Sequence, residues 1–255
     1  MTSLEGALAG RRRGASKAFV PYVTAGLEGV DPNFLRGLEA SGADAIEVGI
    51  PFSDPVMDGP VIQEASSRSL RAGTTVSDAF DLVARAVLAV PVVVMTYLNP
   101  VLSLGMEGFL MSASEAGVSG VIVPDLPVDE AREWSRSADA AEIAPVFLAA
   151  PNSSTDRLTL IAQASRGFVY CVSSFGVTGE RTRLSGSAAG LVAALRPLTT
   201  LPLLVGVGIS TPSQATEACS FADGAVVGSA LVAPLLEGRP DAALRLARDF
   251  REACR

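Results

Sequence analysis

Histidine is absent from this 255-residue chain, and lysine occurs once, at Lys17. The first absence removes Ser-His-Asp and Cys-His nucleophilic machinery, and with it the imidazole ligands that zinc favours. The second leaves Schiff-base chemistry one candidate, and Lys17 stands just before a strand rather than at its end. Cysteine is scarce as well. Cys171, Cys219 and Cys254 show neither CxxC spacing nor a disulfide framework, which points to a reducing cytoplasm. No apolar run approaches the ~20 residues of a membrane span, and the first residues, with Arg11-Arg12-Arg13 behind a polar stretch, lack a signal-peptide core. A net charge of −7 argues against nucleic acid and anionic membrane as main partners. Proton transfer in such a chain falls to Asp, Glu or Tyr.

What is present is core. With 49% hydrophobic and 18% charged residues, the composition is that of a soluble globular protein. After a short amphipathic helix over Thr2–Arg13, strand-like runs recur: Ala18–Thr24, Ala45–Ile50, Pro91–Tyr97, Gly120–Pro124, Ala144–Leu148, Gly167–Val172, Pro202–Gly206 and Gly224–Gly228. Each is followed by a helical pattern, among them Val76–Val90, Glu107–Ala116, Val128–Ala140 and Ala188–Arg196. Asp31-Pro32 and Thr211-Pro212 mark helix starts, with Thr75 or Ser77, and Ser153 or Ser154, as further candidate caps. Eight strand-then-helix units in ~255 residues predict one α/β domain over residues 1–255, a (β/α)8 TIM barrel with an extra N-terminal helix. Chemistry in such a barrel lies at the C-terminal ends of the strands, where Glu47, Asp54, Asp58, Tyr97, Asn99, Asp125 and Tyr170 fall.

The stretch Ala45–Pro60 carries the most chemistry. Period-two alternation puts Ile46 and Val48 on one face of its strand and Ala45, Glu47 and Gly49 on the other. An ionised carboxylate in a packed interior costs several kcal/mol unless it is paired or shifts its pKa. The loop behind it holds Asp54 and Asp58. Taken alone, the stretch reads equally well as an active-site edge or as a structural glutamate with aspartate caps. Gly206-Val207-Gly208 after the seventh strand and Gly228-Ser229 after the eighth form a candidate phosphate site, with a short helix starting at Ser229 adding its positive end. Glycines that merely serve tight turns are the alternative. Tyr97 and Tyr170 read as rim packing or as site residues, and Asp125 as a loop anchor or a substrate contact. The length of Ser173–Ser187 predicts a mobile lid.

The chain resembles the tryptophan synthase alpha subunit family from about Phe19 to Val232. The resemblance rests on Phe19-Val20-Pro21-Tyr22-Val23-Thr24-Ala25-Gly26, on Glu47-Val48-Gly49-Ile50-Pro51-Phe52-Ser53-Asp54-Pro55 and on Asp58-Gly59-Pro60-Val61-Ile62-Gln63. It continues through Met95-Thr96-Tyr97-Leu98-Asn99-Pro100, Asp125-Leu126-Pro127, Gly176-Val177-Thr178-Gly179 and Gly228-Ser229-Ala230. It implies retro-aldol cleavage of indole-3-glycerol phosphate to indole and glyceraldehyde 3-phosphate, with no metal or organic cofactor. It assigns acid–base work to Glu47, the indole-nitrogen contact to Asp58 and an active-site place beside them to Tyr170. Tyr22, Met95, Ile122, Thr178 and Val207 would contact the rest of the substrate. Gly179, Gly206, Gly208, Gly228 and Ser229 would hold its phosphate. The implied partner is a tryptophan synthase β subunit in an α2β2 heterotetramer, docking on rim loops Phe52–Pro60 and Leu98–Leu102. A free-standing lyase that releases indole, and a weakly catalytic barrel that activates its partner, are the competing readings. The chain departs from the family pattern at Gly26-Leu27-Glu28, at Tyr22 and at Val207, the last two in the expected pocket wall.

Overall fold

The computed structural model describes residues 3–13, 16–172, 186–206 and 208–255, and of residues 11–13 the backbone only. Its strands are β1 (Ala18–Thr24), β2 (Ile46–Gly49), β3 (Val92–Met95), β4 (Val118–Ile122), β5 (Ala144–Val146), β6 (Leu148–Ala149), β7 (Val169–Val172), β8 (Leu203–Gly206) and β9 (Gly224–Val227). All pairings are parallel, in the order β5-β4-β3-β2-β1-β9-β8-β7-β6. β5 and β6 are two halves of the expected fifth strand, parted by Phe147. One half pairs with β4 and the other with β7, so together they complete the ring of a (β/α)8 barrel.

Parallel strands covered on both faces need apolar side chains in both directions, and these have them. Ala45, Val93, Ile122, Val172, Leu204 and Val226 pack together inside the barrel. Their neighbours Ile46, Val48, Val94, Val121 and Val205 pack outward against the helices. The extra helix, Leu4–Arg13, sends Leu4 and Leu8 into the inner cluster. A Cβ at Gly120 or Gly167 would come within 2.8 or 2.5 Å of Leu4 Cδ2, so those glycines make the room. Burying each leucine contributes about 1.5–3 kcal/mol. The base is thereby filled, and the open end is the one where the strands finish.

Several boundaries differ from the sequence expectation. β3 stops at Met95, because Tyr97 already caps a helix, Leu98–Leu104, where a rim loop was expected. Asp125 Oδ1 accepts from the Leu98 N–H at 2.9 Å and stabilises that turn of chain. The helix expected over Val76–Val90 ends at Ala86. There Glu39 Oε1 accepts the Ala89 and Val90 N–H groups at 2.7 and 3.0 Å and draws the chain away toward Pro91. Val128–Ala140 divides into a 3-10 turn, Val128–Glu130, and a helix, Arg132–Ala140. The helix expected at Ala188 starts at Gly186. Asp31, Thr75, Ser154 and Thr211 all cap as expected, each accepting a backbone N–H through its side chain. The stretch anticipated as a lid lies, over 173–185, outside the described residues.

Candidate active site

Glu47 is the second residue of β2 and points into the barrel, opposite Tyr22 of β1 and Val93 of β3 in register. It is 1% exposed, and among the described residues its Oε2 has no hydrogen-bond partner. A structural glutamate would be held by backbone amides; an orphaned oxygen aimed at open space is instead a group awaiting substrate. Burial first, and the nearby Asp58 charge second, push its carboxyl up to about 8. At neutral pH Glu47 is therefore an acid with a proton to give.

Asp58 comes from the loop after β2 and is half-buried. Two ties hold it: its N–H donates to Pro55 O at 3.0 Å, and its carbonyl accepts from Gln63 Nε2 at 2.9 Å. Burial raises this carboxyl to about 6, with the Tyr97 hydrogen bond pulling the other way. Asp58 is thus mainly ionised at neutral pH. Two carboxyl groups in one site whose environments set them in opposite protonation states form an acid and an anion ready for different tasks.

Around them lies a cavity of about 680 Å³, in the range of small-molecule sites. Tyr22, Met95, Ile122, Leu148, Tyr170 and Val172 give it an apolar body, and Gly208, Ile209, Ser210, Gly228 and Ser229 line it on the β8–β9 side. A smaller cavity of about 310 Å³ sits near the start of β3, walled by aliphatic residues with Glu115 as its one carboxylate.

The two tyrosines on the wall are deeply set. Tyr22 meets Thr24 Oγ1 through its hydroxyl at 3.3 Å. Tyr170 is 9% exposed, and burial together with the Glu47 and Asp58 charges holds its phenol well above the usual range. A neutral tyrosine beside two carboxyls is a packing surface and a proton donor, not a base.

A Cβ at Gly206 would lie 2.1 Å from the Tyr170 hydroxyl oxygen and 2.3 Å from its Cζ, so the side of this glycine that would bear a side chain faces the tyrosine. Gly206→Ala should displace the Tyr170 ring. We expect at least a tenfold fall in kcat/KM and a stability loss of about 1–3 kcal/mol, the usual cost of overpacking. Wild-type kinetics with an unaltered melt would show that the ring's position is immaterial.

Gly208 and Gly228-Ser229, by contrast, do line the cavity. The helix Ser229–Leu236 starts at Ser229 as expected, and no side chain caps it, so its first N–H groups are open to an anion. Thr178, Gly179 and Val207 lie outside the described residues. Asp54 stays on the exposed rim, accepting from Ser53 Oγ at 2.5 Å. Asp125 resolves as an anchor, holding Leu98 N–H.

Tyr97 is both packing and more than packing. Its ring stacks on Phe52 at 5.1 Å, and its hydroxyl accepts the Met57 N–H at 3.1 Å. The sequence marks it only as a tyrosine at a strand end. Nothing in the spacing tells that it reaches back to a loop 40 residues earlier. Gln63, which holds the Asp58 carbonyl, carries no sequence signal beyond its place in the Asp58–Gln63 run.

Comparison with known proteins agrees with this geometry. The family model described as tryptophan synthase alpha chain matches residues 8–253. The tryptophan synthase alpha chain of Geobacter sulfurreducens is 45% identical over 241 residues, 91% of this chain and 89% of its own. That of Synechococcus elongatus is 40% identical over 262 aligned positions, covering 99% of this chain and 97% of its own. Among solved structures, a Mycobacterium tuberculosis tryptophan synthase chain superposes with a TM-score of 0.92 at 37% identity, covering 100% of this chain and 99% of that one. The alpha chain from Legionella pneumophila gives 0.88 at 32%, covering 100% and 97%. With a barrel, a buried carboxyl pair and matches over nearly the whole length, the chain belongs to the tryptophan synthase alpha chain family, lyases that cleave indole-3-glycerol phosphate to indole and glyceraldehyde 3-phosphate in tryptophan biosynthesis.

Proposed function

We propose that this chain performs that cleavage in the 680 Å³ cavity, with Glu47 moving the protons and Asp58 carrying the compensating charge. The observation that supports it most is buried Glu47, its Oε2 without a hydrogen-bond partner among the described residues, lining one cavity with Asp58. Protonated Glu47 gives its proton to C3 of the indole ring, and positive charge develops at the ring nitrogen. Ionised Asp58, accepting the ring N–H, stabilises that charge. The Glu47 carboxylate then takes the proton of the hydroxyl on the carbon attached to C3. The bond between them breaks, its electrons restore the indole ring, and the hydroxyl carbon becomes the aldehyde. Glu47 ends as it began, protonated. Positioned acid–base groups supply about 10²–10⁴-fold, and charge stabilisation in a water-poor site supplies more.

Tyr22, Met95, Ile122 and Tyr170 serve as the indole wall, and Thr178 and Val207 complete the list of expected contacts. Gly208, Gly228 and Ser229 bind the phosphate by backbone N–H groups and helix polarity, with Gly179 adding to them. Inorganic phosphate and glycerol phosphate should therefore compete with substrate at millimolar concentration in steady-state assays of indole formation. Absence of competition by either would move the phosphate site elsewhere.

The chain works in the cytoplasm with a tryptophan synthase β subunit, in an α2β2 assembly. Val56, Leu102 and Leu104 are 77%, 57% and 51% exposed on the loop and helix following β2 and β3, an apolar surface that suits such docking. No helix among the described residues is long and apolar enough to cross a membrane.

A further inference from the structure

We propose that the Tyr22 hydroxyl is a specificity-determining group, a hydrogen-bond donor held by Thr24 over Gly49. Its target is the glycerol hydroxyl that does not react, on the carbon between the reacting carbon and the phosphate-bearing one. The inference deepens the reading of the cavity as the cleavage site and rests on it.

The geometry begins with a space. Tyr22 stands opposite Glu47 in register and Thr24 opposite Gly49, so by period two all four share the inner faces of β1 and β2. A Cβ at Gly49 would come within 2.1 Å of the Tyr22 hydroxyl oxygen and 2.6 Å of its Cζ. The phenol head therefore occupies the room that the missing side chain leaves, one inward step beyond Glu47 on the same strand. The other end of the ring lies toward the phosphate corner, where a Cβ at Gly228 would meet Tyr22 Cδ1 at 3.4 Å and its Cβ at 3.5 Å. The ring thus reaches from the end of β9 to the end of β2. A substrate with its phosphate at Gly228-Ser229 and its reacting carbon at Glu47 lays its glycerol chain along this ring.

Burial decides where the hydroxyl proton points. The Tyr22 and Thr24 hydroxyl oxygens are 3.3 Å apart, and either could donate. Thr24 is 0% exposed, and among the described residues its hydroxyl has no other hydrogen-bond partner. If it accepted from Tyr22, its own proton would be buried without an acceptor, which is costly. Thr24 therefore donates. Tyr22, which lines the cavity at 7% exposure, keeps a proton facing open space. Burial holds this phenol well above its usual range, so the proton stays on it. Of the two glycerol hydroxyls, the one next to the indole belongs to Glu47. The other is left for this donor.

The test compares two substrates in each protein. Steady-state kcat/KM for indole formation is measured with indole-3-glycerol phosphate and with its analogue lacking the middle hydroxyl. Tyr22→Phe keeps the ring and deletes the oxygen. It should cleave the natural substrate about three- to tenfold less efficiently, the size of one neutral hydrogen bond, and the analogue as well as wild type does. The preference between the two shrinks by the same factor. Thr24→Val, which removes the donor that orients Tyr22, should shrink it in the same direction, and Thr24→Ser should restore it. A preference unchanged in Tyr22→Phe, whether activity holds or falls on both substrates alike, overturns the proposal. So does a wild type that cleaves both equally well. A Thr24→Val preference equal to that of wild type overturns the part given to Thr24. Failure of the underlying reading looks different: Glu47→Gln would then retain activity on the natural substrate, whatever Tyr22→Phe does.

Discussion

Glu47→Gln should lower kcat for indole formation by at least two orders of magnitude while making the protein more stable at alkaline pH. The activity loss follows from chemistry. An amide cannot give a proton to C3 and take one from the hydroxyl, and the chain has no histidine or nearby lysine to replace it. The stability gain follows from burial. The carboxyl of Glu47 sits at about 8 in the fold against 4.5 in the open chain, so folding takes up a proton between those values. The native state is then favoured below about 4.5 and loses that advantage as pH rises through about 8. An uncharged amide has no such dependence. Each pKa unit corresponds to about 1.4 kcal/mol, and a protein of this size gains about 2–4 °C per kcal/mol. Thermal melts should therefore show Glu47→Gln above wild type by on the order of ten degrees at pH 8.5 and by only a few degrees at pH 5.5. A variant that keeps more than about a tenth of the activity removes Glu47 from the proton-transfer role, and a melt lower at both pH values makes it structural.

Asp58→Asn should be nearly as damaging to turnover, by about 10²-fold or more, for a different reason. The side chain keeps its size and an oxygen that can accept from the indole N–H. It loses the negative charge that offsets the developing positive one, and charge stabilisation inside a dry cavity is worth far more than the same pair in water. The loss should appear mainly in kcat, because the charge on the ring exists only on the way to products. An increase in KM with kcat preserved would make Asp58 a binding group and nothing more.

How far the sequence carried these conclusions differs by level. The barrel was legible because its rhythm is set by composition: continuous apolar strands, caps such as Asp31 and Thr211, and prolines in the first helical turns. Glu47 was legible for the opposite reason, as a carboxylate in a strand that should hold none. Less legible was everything that depends on contact across the ring. The fifth strand breaks at Phe147 and the Leu98–Leu104 helix replaces a loop, because tertiary hydrogen bonds override local pattern there. That Gly206 makes room for Tyr170 was not legible, since a glycine after a strand looks the same whatever its missing side chain makes room for. Tyr97 kept a double reading, because its partner, the Met57 N–H, belongs to another strand's loop.

The central claim is that one cavity holds an acid and an anion at the same pH. The pH dependence of kcat/KM for indole-3-glycerol phosphate cleavage tests it most directly, in wild type and in the residual activity of Asp58→Asn. The wild type should give a bell with limbs near about 6 and about 8, as apparent values of the coupled pair, and Asp58→Asn should lose the acid limb while keeping the alkaline one. A profile flat from pH 5 to 9, or an acid limb that survives in Asp58→Asn, would contradict the account.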